Sequence, residues 1–491
     1  MQTSKKQRTH NGMIFNTHHN NYYYDTATGK VVFCNDAEVE IISGILSEKI
    51  DLEEECSQNK NFGDFIAREK LFDKNENWDF IIPTRKEFKE LVKGKCEQIV
   101  LELTEDCNLR CGYCIYNAHH QAHRSFSNKS MSFDIAKRSV DCVMQDYQGD
   151  EFALTFYGGE PLVNFELMKR IIEYFKERYP MVKKSFGFTT NLTLLDDEMI
   201  DYFSKTEELE IVCSLDGPRR LHDKFRRDLN GKGSYEIATS NFIKLMENFY
   251  NKKAGRTLMV NCVITPPYTK DKLDEISRYF RTELKIPQEI NINYSYVDVG
   301  DMVFDYDRKE VIDKNLNLEI SPLEEWAAKD FEINGTDSEY FGLIDKELAR
   351  VAGRMKSDNI VNGSFLHGNC LPGQRRLYVT TDGRFRPCEK VGNIPSLGDC
   401  FTGYDYDKSY EIYLKTYAQK YHEICKNCWA RTMCAVCYES SVTTDSSNLY
   451  ETEGMCDTSR QIIKDMFVNY FTLYEKNPEA LKQAMSEVEF R

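Results

Sequence analysis

The segment Gln98–Cys114, QIVLELTEDCNLRCGYC, joins an apolar run to three closely spaced cysteines. QIVLELT (98–104) reads as a first buried strand, and the loop with the cysteines follows it. Downstream the pattern alternates. Ser132 can cap a helix whose face is Ala136, Val140, Val143, Met144 and Tyr147. FALTFY (152–157) reads as a second strand ending in Gly158 and Gly159, and Met168, Ile171, Ile172, Phe175 and Tyr179 mark the next helix. Further strands are predicted near 186–190, 210–215, 258–264 and 289–294. About six βα units predict an α/β fold with a parallel sheet and helices outside it. Ligand sites in such sheets lie at the C-terminal ends of the strands. Cys107, Cys111 and Cys114, the Gly-Gly-Glu-Pro turn at 158–161 and the Ser-Leu-Asp-Gly turn at 214–217 all fall there.

The 491 residues allow two to four domains. Residues 1–92 lack clustered cysteines: Tyr22–Tyr24 and Val31–Cys34 are β-prone around an Asp25–Gly29 turn, and Ile41, Ile42 and Ile45 then recur at helical spacing. Residues 93–300 hold the βα units, 301–365 read as a helical bridge without a chemical motif, 366–462 carry a second cysteine array, and 463–491 read as helix. There is no internal repeat or low-complexity segment.

Hydrophobic residues make up 41% and charged residues 29%, a globular balance, and the formal charge of −15 argues against nucleic-acid or anionic-membrane partners. No apolar run of about 18 residues exists, and the basic N-terminus MQTSKKQRTHNGMIF lacks the apolar core of a signal peptide. A cytoplasmic protein is expected. A reducing compartment disfavours disulfides, so clustered members of the 17 cysteines are expected to bind metal or act in catalysis.

Cys107, Cys111 and Cys114 are spaced C-x3-C-x2-C. Three thiolates can hold three irons of a cubane cluster and leave the fourth open to a ligand. The alternative is zinc, with a fourth ligand from His119, His120 or His123. Placed after the first strand of a βα domain, the motif resembles the radical S-adenosylmethionine (SAM) superfamily, over about residues 97–295. The resemblance implies a partial (β/α)6 barrel and an open iron that chelates the amino and carboxylate groups of SAM. Cleavage of SAM then gives a 5′-deoxyadenosyl radical. It places Tyr113 beside the adenine and matches Gly158, Gly159, Glu160 and Pro161 to the family's GGEP turn. There glycines allow close backbone approach and Glu160 accepts from the SAM ammonium; an ordinary strand-ending turn is the bland alternative. Ser214–Arg226, SLDGPRRLHDKFR, resembles the family's SxDGPxxxHDxxR stretch, which implies that Ser214 and Arg226 hold the SAM carboxylate and nearby polar groups. Asn191 in FTTN matches a ribose-side position, and His222 reads as a structural cap.

The second array runs Cys370-x17-Cys388, then Cys425-x2-Cys428-x5-Cys434-x2-Cys437-x18-Cys456. NCLPGQRRLYVTTDGRFRPCE (369–389) reads as a cysteine, a strand, an Asp-Gly turn and a second strand ending in cysteine. Together these resemble the SPASM domain of peptide-modifying radical SAM enzymes. The resemblance implies two auxiliary 4Fe–4S clusters: Cys370, Cys388 and Cys437 on one, and Cys425, Cys428, Cys434 and Cys456 on the other, three 4Fe–4S clusters in all. The first auxiliary set lacks a fourth ligand. Cys400 could supply it or could be a buried core thiol; if it is not a ligand, a substrate cysteine thiolate could complete the set. A zinc ribbon of Cys425, Cys428, Cys434 and Cys437 is the alternative, and the remaining cysteines read as core.

The pattern near residues 13–50 resembles the winged-helix-like α+β element by which such enzymes bind the leader of a ribosomal precursor peptide as an added strand. As a whole the chain resembles thioether-forming maturases of the sactipeptide and ranthipeptide type. That resemblance implies hydrogen abstraction from the peptide, bonding of a cysteine sulfur to the carbon radical, and an auxiliary cluster that accepts the spare electron. It also implies a cellular reductant such as flavodoxin or ferredoxin. Anaerobic sulfatase maturation is a second enzyme reading, but those enzymes carry Asp directly after the cysteine matched by Cys388, where this chain has Glu389. Carbon–carbon or ether crosslinking, epimerisation, and a non-catalytic iron–sulfur peptide scaffold complete the alternatives. No catalytic general base is assigned.

Overall fold

The computed structural model describes residues 11–72, 77–117, 125–297, 330–335, 341–359, 362–366, 368–392, 394–441, 450 and 455–487. The zinc alternatives His119, His120 and His123, and most of the expected helical bridge, lie outside the described residues.

The N-terminal tyrosines form strands because they alternate between two apolar surfaces. β1 (Gly12–Asn16), β2 (Asn21–Asp25) and β3 (Val31–Cys34) make an antiparallel sheet in that order. Tyr23 faces Cys34, Ile42, Ile45, Phe62 and Phe72, whereas Phe15, Tyr22 and Tyr24 face Phe467 and Phe471. The first face is covered by α1 (Asp36–Leu46), α2 (Leu52–Gln58) and α3 (Lys60–Glu69). α1 starts where Asn35 and Glu38 close a reciprocal capping box. The turn before β3 is built on the buried Asp25 carboxylate, which accepts from Thr28 N (2.9 Å), Thr28 Oγ1 (2.7 Å) and Phe72 N (3.1 Å). The sequence pattern indicated one hairpin and one helix; the structure adds β1, α2 and α3.

After β4 (Asp79–Phe80) and α4 (Arg85–Val92) comes the expected βα series. It runs β5 (Gln98–Thr104), α5 (Phe133–Met144), β6 (Glu151–Gly158), α6 (Phe165–Arg178), β7 (Lys183–Thr190), α7 (Asp197–Lys205) and β8 (Leu209–Ser214). It continues with α8 (Arg219–Phe225), α9 (Tyr235–Asn248), β9 (Thr257–Ile264), α10 (Lys270–Arg278) and β10 (Asn291–Tyr296). β5 to β10 are parallel and stand in sequential order. Ser132 caps α5 at Ile135 N, as predicted. Phe152, Leu154 and Phe156 of β6, and Leu258, Val260, Cys262 and Ile264 of β9, are buried on the helix side, each such side chain contributing about 1.5–3 kcal/mol. Their alternating neighbours, Thr155, Tyr157, Asn261 and Val263 among them, are only half-buried on the inner face. The sheet is therefore fully buried on its helix side and half-buried on the other.

Two C-terminal strands extend this sheet. β11 (Gly363–Ser364) pairs with β4, within the span expected to be a helical bridge. β12 (Arg376–Val379) lies parallel to β5 with Arg376 opposite Gln98 and Val379 opposite Leu101, and β13 (Phe385–Arg386) folds back antiparallel onto β12. Thr381 fastens the hairpin: its N–H donates to Glu102 Oε2 (3.2 Å) and its hydroxyl to Glu105 Oε1 (3.0 Å). The Asp382-Gly383 turn needs glycine, since Gly383 has φ +85°. The second cysteine array is thus attached to the strand that leads into the first.

The helix Met455–Lys476 packs against the outer face of the N-terminal sheet, with the Tyr22–Phe471 and Tyr24–Phe467 rings each 4.8 Å apart. Glu475 accepts from Thr17 Oγ1 (2.7 Å) and Tyr22 OH (2.8 Å). Among the described residues, no helix is long and apolar enough to cross a membrane.

Candidate active site at the strand ends

The first cysteine loop leaves the C-terminal end of β5 and is strapped to the segment after α8. Arg110 N donates to Arg227 O (2.7 Å) and Gly112 N to Phe225 O (2.9 Å). Cys107 Sγ accepts from Leu109 N at 3.4 Å and lies 3.8 Å from Asn191 Nδ2. Asn191, at the end of β7, also holds Asn108 Oδ1 at 3.0 Å. The side chain assigned to the ribose therefore sits against the cysteine loop.

Gly158 and Gly159 are required where β6 meets this loop. Gly158 has φ +145°, and a Cβ at Gly159 would overlap the Asp106 carbonyl and come 2.9 Å from Cys107 Cβ. The close approach that demands glycine is thus to the cysteine loop itself. Glu160 is buried beneath it, accepting from Leu162 N (3.2 Å) and Thr190 Oγ1 (2.9 Å) on one oxygen and from Asn191 N (2.7 Å) on the other. A carboxylate offers about four lone-pair sites, so room remains for another donor. Burial pushes Glu160 up to about 7. A ligand cation beside it would favour the charged form.

Tyr113, Asp216 and Arg226 form a second buried group. Arg226 is bidentate to Asp216 at 2.8 and 3.1 Å, its guanidinium lies 5.4 Å over the Tyr113 ring, and the Tyr113 hydroxyl donates to the same carboxylate. Asp216 also accepts from Val263 N (3.0 Å), which ties the turn after β8 to β9. Arg226 also lies close enough to Cys111 for its charge to favour the ionised thiol. The sequence reading gave this arginine a SAM carboxylate; its fork is turned onto Asp216. Ser214 ends β8 and is buried. His222 behaves as the expected structural cap: it accepts from Asp216 N at Nδ1 (3.4 Å), pairs with Ser234 Oγ at 3.0 Å, and is held neutral by burial, with a pKa down to about 4.

Burial also pushes the cysteines up, Cys107 well above the usual thiol range and Cys111 to about 11, the latter opposed by Arg226. Burial raises the core thiols Cys34, Cys96, Cys213 and Cys262 in the same way.

In the C-terminal array, Cys425, Cys428, Cys434 and Cys456 line one cavity, together with Tyr417, Tyr421 and Arg460. Cys428 N donates to Cys425 O (3.0 Å), Cys434 Sγ lies 3.6 Å from Ser459 Oγ, and Arg460 Nη1 lies 3.8 Å from Cys428 Sγ. Among the described residues, however, no group of three or more His, Cys, Asp or Glu side chains is placed so as to hold a metal ion. Cys437 lies outside the cavity and beside Cys388, whose thiol rises to about 11 through burial and the Glu389 carboxylate. Cys370 is exposed and close to Tyr438. Cys400 is on the α5 side of the hairpin: it lies near Ser139 and Cys142, and sits so tightly on the turn that a Cβ at Gly383 would be 2.5 Å from its sulfur. This is the core-thiol position. Cys34, Cys96, Cys213 and Cys262 are buried core residues.

Sequence reasoning passed over Asp216, although it stands inside the Ser214–Arg226 stretch, over Arg431 and Arg460, which stand close to cysteines in the chain, and over Arg350, which only the fold brings to Cys434.

The model of the radical SAM superfamily matches residues 101–280. An uncharacterized protein of Methanocaldococcus jannaschii is 30% identical over 28% of this chain and 44% of its own length, so the chain spans less than half of that relative. The cysteine-type anaerobic sulfatase-maturating enzyme of Clostridium perfringens strain 13 is 24% identical over 75% of this chain and 95% of its own. A solved structure, native anSMEcpe with bound AdoMet and Cp18Cys peptide, shares the fold with a TM-score of 0.53 and 21% identity, covering 79% of this chain and 99% of that one. The match spans the strand that leads into the three-cysteine loop, the Gly-Gly-Glu-Pro turn and the Asp216–Arg226 pair. Residues 101–280 of this chain are therefore a domain of the radical SAM superfamily, the family that takes SAM and a 4Fe–4S cluster.

Proposed function

We propose that this enzyme matures a ribosomally made precursor peptide by forming thioether crosslinks from its cysteines. One observation carries the reading: the cysteine-bearing hairpin β12–β13 is part of the barrel's own sheet, so the second cysteine array is anchored beside the strand that leads to the first. A radical domain alone would not need that array.

In this reading Cys107, Cys111 and Cys114 hold the SAM cluster, and Cys370, Cys388 and Cys437, with Cys425, Cys428, Cys434 and Cys456, hold two auxiliary clusters. When bound, SAM and its cluster supply a 5′-deoxyadenosyl radical. The chain's own contribution is positioning. Glu160 receives the SAM ammonium at its remaining lone pair, Ser214 lies at the SAM side of β8, and Tyr113 is fixed by Asp216 and Arg226 to flank the adenine. Asn191 donates toward Cys107, and the charge of Arg226 lies beside Cys111. The incomplete first auxiliary set leaves a place for a substrate thiolate, and Cys400, turned toward Ser139, does not compete for it.

Residues 1–92 serve as the leader-binding domain. β3 is an edge strand, and Phe33 on it is 59% exposed, an open edge of the kind to which a peptide can add as a strand. That a structure sharing this fold was solved with a peptide supports a peptide partner. Flavodoxin or ferredoxin is the proposed reductant.

Formylglycine formation is favoured by the sulfatase-maturating relative. Against it stands Glu389, which is bound to Arg376 at 3.2 Å where those enzymes place Asp. Mass spectrometry of a cysteine-rich peptide co-expressed with the enzyme separates the two. Loss of two hydrogens per crosslink with blocked cysteines is expected. A carbonyl in place of a thiol supports the sulfatase-type reaction, and unchanged mass with free thiols refutes both.

A further inference from the structure

Asparagine is depleted in strands, yet β9 and β10 carry two of them side by side on the inner face of the sheet. In the parallel register Asn261 stands between Ser214, the last residue of β8, and Asn293. Its neighbours on the same face of β9, Met259 and Val263, are apolar, and a purely structural position there would take a β-branched side chain. The two amides and Ser295 close a small network. Asn293 Nδ2 donates to Asn261 Oδ1 (2.8 Å) and to Ser295 Oγ (3.0 Å), and Ser295 Oγ donates to Asn261 Oδ1 (3.0 Å). That uses both lone pairs of Asn261 Oδ1 and both protons of Asn293 Nδ2. Two groups are left over: among the described residues, Asn261 Nδ2 and Asn293 Oδ1 have no hydrogen-bond partner. Both side chains are half-buried. The network therefore fixes an amide donor and an amide acceptor on strands about 4.8 Å apart, in the same row as Ser214.

Resting on the peptide-maturing reading above, we infer that Asn261 and Asn293 form a subsite for the backbone of one extended residue of the substrate. An extended residue turns its own N–H and C=O to the same side. Asn261 Nδ2 donates to that carbonyl and Asn293 Oδ1 accepts from that N–H, so two side chains reproduce the bonding of a strand pair. Such a subsite reads no side chain. It fixes the backbone of the residue it holds and tolerates variation in what that residue carries. Its place is the C-terminal half of the strands, where ligands of parallel barrels bind, beside the end of β8.

The test titrates two probes into the reconstituted holoenzyme with SAM present, followed by ligand-detected NMR. One is N-acetyl-cysteine methylamide, a single residue with both groups; the other is the same molecule methylated on the cysteine nitrogen, which has lost that N–H. Asn261→Asp, which turns the donor into an acceptor, is expected to weaken the first probe about tenfold. Wild type is expected to bind the methylated probe about tenfold more weakly than the first, and Asn293→Ala to bind the two equally. SAM affinity, measured by calorimetry, is expected to be the same in all three proteins. Equal affinity of wild type and Asn261→Asp for the first probe overturns the inference. So does a SAM affinity that falls in step with it, which gives the pair to the cofactor. Should Asn261→Asp not fold, Asn293→Ala decides, and a preference between the probes that persists there overturns the inference. Wild type that modifies a co-expressed cysteine-rich peptide yet does not distinguish the probes refutes the subsite alone. Wild type that binds neither probe and leaves that peptide unmodified refutes the peptide reading itself.

Discussion

Gly159→Ala probes the junction on which the site is built. A Cβ there would overlap the Asp106 carbonyl and press on Cys107 Cβ at 2.9 Å. Two of the three nearest atoms are backbone, so no flexible side chain can give way. Overpacking of this kind costs about 1–3 kcal/mol, and the strain falls on the loop that presents Cys107. The fold should survive while the loop shifts. On the proposed assignment of three clusters, iron per chain after anaerobic reconstitution is then expected to fall by about one third, and 5′-deoxyadenosine formation to be lost. Gly187→Ala, on β7 of the same sheet, is the control: its Cβ would meet its nearest neighbour, Glu210 O, at 3.7 Å, ordinary contact. Iron and SAM cleavage there should match wild type. If Gly159→Ala keeps full iron and activity, the glycine is not set by the cysteine loop and the reasoning fails.

Other outcomes follow from the same geometry. Because the folded Glu160 carboxyl titrates near 7 rather than its ordinary 4.5, the folded state holds a proton that the unfolded state has lost, and this group's contribution to stability falls as pH rises between those values. The SAM ammonium wants the ionised form, so SAM affinity by calorimetry should rise with pH up to about 7 and then level off, and Glu160→Gln should flatten the profile. Arg226→Met strands the buried Asp216 and should cost about 3–5 kcal/mol in denaturant unfolding; Asp216→Asn/Arg226→Met should cost less than the sum of the single changes. Phe471→Ala empties the seam between the N-terminal sheet and the helix Met455–Lys476, at about 3–5 kcal/mol, and should expose residues 11–72 to limited proteolysis while SAM cleavage persists. Cys400→Ala should leave iron per chain unchanged, whereas Cys437→Ala should lower it.

The barrel strands were legible because β5 to β10 pair in sequence order and carry strong aliphatic signals, as in Leu258–Ile264. The grouping of Cys425, Cys428 and Cys434 around one cavity was legible because they stand close together in the chain. What escaped was long-range. The attachment of β12 to β5 joins residues about 280 positions apart, and nothing in Arg376–Val379 names its neighbour. β1 escaped because Met13 and Phe15 are apolar toward a helix that begins at Met455. The role of Gly159 was read as room for a ligand, since the loop that crowds it lies on a different strand. Arg226 looked like a free fork because its partner Asp216, ten residues earlier, meets it only after the turn and α8 fold back. Arg350 had no pattern at all, since only the fold carries it from its own helix to the Cys434 carbonyl.

The whole reading rests on a three-thiolate iron centre that grasps and cleaves SAM. The most direct measurement compares oxygen-free wild type with the Cys107→Ala/Cys111→Ala/Cys114→Ala chain, assaying metal content and 5′-deoxyadenosine after reduction with dithionite. Wild type should contain iron and form 5′-deoxyadenosine, and the triple variant should keep its auxiliary iron and form none. Zinc in the wild type, or undiminished SAM cleavage in the triple variant, would contradict it.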